Sequence, residues 1–127
     1  MPPASTWKPG CGEAGPRGLI IDTERRHLFV ACTEGLKTLD AGKDGAILGE
    51  LKTGAGVDNI DYLPAKHLLY AAAGRAGTLT IAQADEKGAL KQVSSVPGAE
   101  GGRVVVVDSR GTAYIADSKG GRLVVVK

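Results

Sequence analysis

The chain has 127 residues, of which 43% are hydrophobic and only 4% aromatic, so its length predicts one domain with an aliphatic core. Its net charge of +2, with acids and bases interspersed, excludes the clustered basic surface of a nucleic-acid-binding domain. No apolar stretch has the length of a membrane span, and the N-terminus lacks the apolar core of a secretory signal. We therefore expect no nucleic acid and no membrane as partners, and a cytoplasmic location.

The first third of the chain reads as a short segment followed by four strands. Period-two alternation with Gly and Asp between the apolar runs predicts strands over 18–22, 27–32, 36–40 and 46–51. Residues 4–9 precede them and align with the ends of later fourth strands, around Gly54 and Gly98. This segment is therefore interpreted as a last strand placed before the first one.

The rest of the chain repeats the pattern nearly twice. The second set of predicted strands covers 57–63, 67–72, 78–82 and 89–96. The third set covers 103–108, 112–116 and 122–127 and has no fourth strand. A repeat of about 40 to 45 residues, built from short apolar runs and glycine-rich turns, indicates β-propeller blades of four strands each. The sequence predicts an all-β propeller with blades at about 16–53, 56–97 and 102–127.

The number of blades has a consequence for assembly. Three blades are too few to close a ring, since propellers have about four to eight. A lone arc would leave apolar faces and a strand edge exposed, and such features drive association. We therefore expect a homodimer that forms a six-bladed ring. Residues 4–9 of each chain would complete the third blade of the partner by strand exchange.

Three segments carry a resemblance to a known repeat: Gly15-Pro16-Arg17-Gly18-Leu19-Ile20-Ile21-Asp22, Arg26-His27-Leu28-Phe29-Val30-Ala31-Cys32 and Gly111-Thr112-Ala113-Tyr114-Ile115-Ala116-Asp117. They resemble the YVTN-type β-propeller repeats. The tetrapeptide that names the family is replaced by Phe29-Val30-Ala31-Cys32, Tyr70-Ala71-Ala72-Ala73 and Tyr114-Ile115-Ala116-Asp117. The resemblance implies the fold, usually as full rings of six or seven blades, but no common reaction.

Propellers gather functional loops at one end of the axis. The loops that lead into the innermost strands supply the candidate ligand-binding residues Arg17, Asp58, Asn59, Glu100 and Arg103, together with Glu13. The loops after the second strands add Glu34, Arg75, Asp117 and Lys119. Of these, Asp58, Asn59 and Glu100 carry oxygen atoms of the kind that calcium prefers, so a divalent cation is a candidate cofactor.

Three functions fit this pattern. The first is a binding module with a small-molecule or ion site in the axial channel. The second is a metal-assisted hydrolase of the lactonase, esterase or phosphotriesterase type, in which axial carboxylates hold the metal. The third is a structural cassette of blades in which the charges are solvated or paired between loops. Whether the protein is an enzyme stays open, and so does its substrate.

The remaining motifs give less information about function. Cys11 and Cys32 are the only cysteines and would lie at one end of one blade, so a disulfide between them is plausible. The bond would stabilise the folded state by about 3 kcal/mol. Reduced thiols are the alternative in a cytoplasmic host. His27 and His67 are interpreted as equivalent positions at the start of second strands, with a structural role. The Gly10-Cys11-Gly12-Glu13-Ala14-Gly15 match to a dinucleotide motif lacks a following helix and is a coincidence.

Overall fold

The computed structural model describes residues 5–127, which form eleven antiparallel strands in three sheets. Blade 1 contains β1 (Leu19–Asp22), β2 (His27–Cys32), β3 (Gly35–Asp40) and β4 (Ala46–Lys52); blade 2 contains β5 (Val57–Leu63), β6 (Leu68–Ala73), β7 (Thr78–Ala84) and β8 (Leu90–Pro97); blade 3 contains β9 (Val104–Val107), β10 (Ala113–Asp117) and β11 (Arg122–Val126). Each of the eleven strands predicted within the three blades is present within two residues, and the all-β prediction is confirmed. No helix of the described chain is long and apolar enough to cross a membrane.

The blades pack face to face through two separate apolar cores. Phe29 of β2 and Ile60, Tyr62 and Leu69 of blade 2 lie in the core between blades 1 and 2. The core between blades 2 and 3 includes Tyr70, Val105 and Ile115. Successive side chains of a strand point to opposite faces, so the central blade must be apolar on both sides. Blade 2 therefore joins the other two.

The second strand of the central blade, β6, carries unusually small side chains at its end. Ala71, Ala72 and Ala73 of β6 are all fully buried. Ala71 and Ala73 belong to the core shared with blade 1, and Ala72 belongs to the core shared with blade 3. Their methyl groups let both neighbouring blades approach the β6 backbone closely.

Each end of the arc presents an apolar sheet face. The face of blade 1 that points away from blade 2 exposes Leu19, Ile21 and Ile47, and we call it the first end face. The face of blade 3 that points away from blade 2 exposes Val104, Val106, Leu123 and Val125, and we call it the second end face. Leu19 is 61% and Leu123 69% exposed, far from the usual state of a core leucine. The two faces lie at opposite ends of one molecule.

The segment before β1 crosses part of the first end face. The Trp7 ring lies against Gly45 in the turn between β3 and β4, and Gly10 lies near the Lys37 ammonium. A disulfide joins Cys11 to Cys32 at the end of β2. Residues 5–11 contain no strand, and Ala4 lies outside the described residues. The structure describes one chain, so the exchange of this segment with a partner stays a prediction.

The interpretation of the two histidines as equivalent positions is wrong by one residue. His27 is the first residue of β2 and pairs with Asp22, whereas β6 begins at Leu68 and His67 precedes it in the turn. The counterpart of His67 in blade 1 is Arg26, and both residues have positive φ, 55° and 57°. In both turns the residue just before the second strand has a left-handed backbone, which is uncommon for residues other than glycine, so the matching histidines of the sequence are not the matching positions of the fold.

Candidate functional site

A cavity of about 360 Å³ lies where the innermost strands of the three blades begin. It is lined by loops from all three blades, with Arg17, Thr33, Gly56, Val57, Asp58, Gly74, Arg75, Glu100, Gly101, Arg103 and Lys119 at its wall. Four basic and two acidic side chains face it, so its formal charge is positive. A concave site with a few convergent polar groups at an interface between repeats is where ligands usually bind.

A bulge at Asp58 and Asn59 ties the three loops together. Val57 pairs with Ala73 and Ile60 with Ala71, so two residues of β5 face a single residue of β6. The Asp58 carbonyl accepts a hydrogen bond from the Gly18 amide of blade 1 at 2.8 Å. The Asn59 amide donates to the Arg103 carbonyl of blade 3 at 3.1 Å. The bulge therefore fixes the loops of blades 1 and 3 against blade 2.

Glycines make room for the arginine side chains. A Cβ on Gly74 would lie 2.5 Å from Cγ of Arg103, and one on Gly56 would lie 2.9 Å from Cβ of Arg75. Gly56 also has φ of +89°, which a residue with a side chain adopts only with strain. The loops around Arg75 and Arg103 thus depend on glycine at these two positions.

Within the described part of the chain, the guanidinium groups at the cavity have no carboxylate partner. Among residues 5–127, no acidic oxygen lies within 4 Å of the charged nitrogens of Arg17, Arg75 or Arg103. The one ion pair at the wall joins Lys119 and Glu100 at 3.8 Å, and both side chains are largely exposed. Such a pair is weak. Three arginines therefore keep their hydrogen-bond donors available to a bound molecule.

The structure brings together four of the five residues predicted to bind a ligand. Arg17, Asp58, Glu100 and Arg103 all line the cavity. Asn59 does not line it: the residue is exposed, and its side chain lies beside Gly18. The bulge explains this, because its extra residue turns away from the face that Asp58 occupies.

The other candidate residues divide between sites. Arg75 and Lys119, from the loops after second strands, join the cavity. Glu34 lines a separate hollow of about 330 Å³ beside the disulfide. Asp117 is buried and accepts a hydrogen bond from Arg122 at 2.9 Å, which holds the pKa of its carboxyl below the ordinary value. Glu13 is exposed and lines none of these hollows.

The described chain does not assemble a metal site on its own. Within residues 5–127 no group of three or more His, Cys, Asp or Glu side chains lies close enough to hold a metal ion. The predicted set of Asp58, Asn59 and Glu100 offers two carboxylates and an amide, of which Asn59 is outside the cavity wall. A calcium site there would need further oxygen ligands beyond these side chains, so the cofactor stays a prediction.

A second polar cluster lies at the opposite end of the blades, in the seam between blades 1 and 2. The Tyr62 hydroxyl donates to Asp22 at 2.9 Å and lies 2.9 Å from Nδ1 of His67. Burial alone would raise the pKa of the Asp22 carboxyl, but hydrogen bonds from Tyr62 and the Arg25 amide outweigh burial and hold it below its ordinary value. Burial and the same carboxylate raise the pKa of Tyr62. Sequence reasoning missed this cluster, whose members are 40 residues apart.

Comparison with solved structures settles the fold. The chain superimposes on a hydrazine synthase from Kuenenia stuttgartiensis with a TM-score of 0.71 at 15% identity, covering 92% of this chain and 32% of that one. A putative 6-phosphogluconolactonase from Bacteroides fragilis gives 0.67 at 17%, with 90% and 38% covered. A periplasmic gluconolactonase from Pseudomonas aeruginosa gives 0.61 at 17%, with 100% and 31% covered. The chain has a β-propeller fold.

These similarities are limited to the fold. The chain spans about a third of the length of these propellers, whose identities to it are all below 20%. No family model matches the chain, so the likeness to YVTN-type repeats remains a resemblance. No curated protein matches it either. Fold alone does not carry activity, so function must be argued from the cavity.

Proposed function

We propose that this propeller arc pairs with a second copy to form a six-bladed ring and binds an anionic small molecule at the axial end of the channel. The observation that carries the proposal is the convergence of Arg17, Arg75 and Arg103, one from each blade, on a single cavity, with no carboxylate partner among residues 5–127. A guanidinium offers a planar fork of donors that matches carboxylate and phosphate oxygens. Asp58 and Glu100 at the same wall would orient hydroxyl or amino groups of the ligand.

The dimer is supported by the two end faces. Three blades at about 60° each span half a circle, so two copies complete a ring of the usual size. The first end face of one copy would then meet the second end face of the other, and both are apolar. Two such contacts close the ring, and the interface should bury on the order of 2,000 Å² or more. Closure would also double the arginines around the axis.

Molar mass and anion binding test the two parts separately. Light scattering after size exclusion should give twice the chain mass at micromolar concentration. Calorimetric titration with inorganic phosphate and with succinate should show binding that weakens as salt is added. An Arg75→Gln/Arg103→Gln variant should lose at least about tenfold in affinity, the difference of one charge-assisted hydrogen bond.

The chain offers a matched control for that variant. Arg110 is exposed in the turn between β9 and β10, at the end of the blades opposite the cavity. An Arg110→Gln change removes one positive charge, where the double variant removes two, without touching the cavity wall. Equal affinity of the double variant and the Arg110→Gln protein for both anions would refute the proposed site.

A metal-assisted hydrolase is the second candidate. It is favoured by the two neighbours that are described as lactonases and by the presence of Asp58 and Glu100 at the cavity wall. Asp58 and Glu100 would supply two carboxylate ligands for the cation, and backbone carbonyls, water or a second copy would complete its coordination. Lactone hydrolysis that calcium restores after chelation, and that Asp58→Asn/Glu100→Gln abolishes, would establish it over simple binding.

A further inference from the structure

The seam between blades 1 and 2 shows how one blade covers the outer part of the next. Leu48 is skipped in the pairing of β3 with β4 and bulges out of the strand. It lies against Gly88 in the turn between β7 and β8, where an added Cβ would approach Cβ of Leu48 to 2.6 Å. The outermost strand of blade 1 thus packs on the turn before the outermost strand of blade 2.

Trp7 makes the corresponding contact with blade 1. Gly45 is the counterpart of Gly88, because each lies in the turn between the third and fourth strands of its blade with positive φ, 73° and 90°. An added Cβ on Gly45 would lie 2.5 Å from the Trp7 ring. Trp7 therefore occupies on blade 1 the place that Leu48 occupies on blade 2.

A second contact repeats the equivalence further along the chain. Gly54, just after β4, lies beside Ala73, the last residue of β6. The last residue of β2 is Cys32, and the disulfide brings Cys11 to it. Residues 7–11 thus lie across blade 1 roughly as residues 48–54 lie across blade 2. The segment follows the path of an outermost strand that belongs to a preceding blade.

The other end of the arc lacks this cover. Val93 is skipped in the pairing of β7 with β8, as Leu48 is in blade 1, yet it is 51% exposed. Blade 3 has no fourth strand among the described residues, so no turn reaches Val93. Its outermost strand, β11, pairs on one side only, with β10. An unpaired strand edge is a template for a further strand.

We infer that the Cys11–Cys32 disulfide holds residues 5–11 on the first end face along the path of an outer strand, and that the β11 edge of a second copy pairs with this segment. This rests on the proposed ring and names the part of the chain that controls its closure. We assign a second copy to this site because its blade 3 carries the unpaired β11 edge and an apolar face. The seam between blades 1 and 2 shows the same arrangement within one chain.

The disulfide matters because it orders residues 5–11 before two copies associate, so the entropy of ordering this segment is not lost at dimerisation. Fixing the backbone of one residue costs roughly 1–2 kcal/mol, and the segment is otherwise held by the Trp7 contact and the buried Pro9. A free segment would pay part of this cost when two copies meet. Loss of the bond should therefore weaken the dimer at least about tenfold, the effect of ordering a single residue.

The test compares dimer dissociation constants by sedimentation velocity over a range of concentrations. The proteins are the oxidised wild type, a Cys11→Ala/Cys32→Ala variant and each of them with dithiothreitol. The dithiol gives two electrons and two protons to the two sulfurs and becomes a cyclic disulfide. Reduced wild type should match the variant, and dithiothreitol should not change the variant. Hydrogen exchange of β5–β8 checks that blade 2 stays folded in all samples.

The outcomes are distinguishable. A dimer that weakens at least tenfold on loss of the disulfide, with faster exchange of β11 amides, supports the inference. If the wild type and the variant dimerise with the same dissociation constant, the role of the disulfide is overturned and the proposed ring stands. A wild type that stays monomeric throughout overturns the ring and the inference together. Disulfides persist mainly in oxidising compartments, so support would also weigh against the cytoplasmic location expected from sequence.

Discussion

Replacing Tyr62 by Phe should destabilise the protein by about 2 kcal/mol at neutral pH. The change removes only the hydroxyl, and the ring can keep its packing against Phe29, whose centroid is 4.9 Å away. The lost interaction is a hydrogen bond to the buried Asp22 carboxylate at 2.9 Å, and hydrogen bonds to charged groups contribute about 1.5–3 kcal/mol. Asp22 would keep the Arg25 amide at 3.3 Å, which limits the loss.

The loss should depend on pH in a defined direction. The pKa of the Asp22 carboxyl lies below its ordinary value, so its ionised form stabilises the fold at pH values above that ordinary value. This contribution disappears as the pH falls through the lowered pKa, because the carboxylate becomes protonated in the folded state as well. The difference between wild type and Tyr62→Phe should therefore be full at pH 7 and shrink in strongly acidic solution.

Urea unfolding at one protein concentration measures both effects. A difference of 2 kcal/mol corresponds to a shift of the midpoint of roughly 1 M for an m value near 2 kcal/mol/M. Tyr70→Phe is the matched control, since the Tyr70 hydroxyl bonds the neutral Gly111 carbonyl at a long 3.4 Å in the other seam. Its effect should be smaller and independent of acid pH. A Tyr62→Phe loss no larger than that of Tyr70→Phe, or one unchanged at low pH, would refute the role assigned to Asp22.

Three further changes probe other parts of the structure. Phe29→Ala removes a fully buried ring from the seam between blades 1 and 2 and should cost about 3–5 kcal/mol in urea unfolding. Gly18→Ala would place a Cβ 2.4 Å from the Asp58 carbonyl, so the blades must shift, at a cost of about 1–3 kcal/mol in the same assay. Arg122→Gln should raise the pKa of Asp117 in an NMR titration, because the guanidinium is the main cause of its lowering.

The strands could be predicted because their signals are local. Alternation marks the apolar faces, and Gly45, Gly77 and Gly121 occupy turn positions with positive φ that side chains disfavour. The convergence of Arg17, Asp58, Glu100 and Arg103 followed from the repeat, since equivalent loops of neighbouring blades meet at one end of the axis. Knowing the repeat was enough for that much of the site.

The features that the sequence did not predict depend on shifts of one residue in strand pairing or on contacts between blades. The bulge at Asp58 turns Asn59 out of the cavity, and nothing in the local sequence fixes which of the two faces inward. The shift between His27 and His67 arises from a turn in which Arg26 and His67 adopt positive φ. The contact of Tyr62 with Asp22 requires two blades to be docked first. Each of these needs the packed structure.

The alanines of β6 have a consequence for the angles between the blades of the arc. Blades are wedges, and the angle between two of them follows from how much side-chain volume separates their inner strands relative to their outer ones. Because interiors are close-packed, Ala71 and Ala72 help to set that angle on the two sides of blade 2. Substitution by a bulkier residue would alter the wedge, and with it the number of blades that meet without a gap. The symmetry of the proposed ring would in this sense depend on the methyl groups of β6.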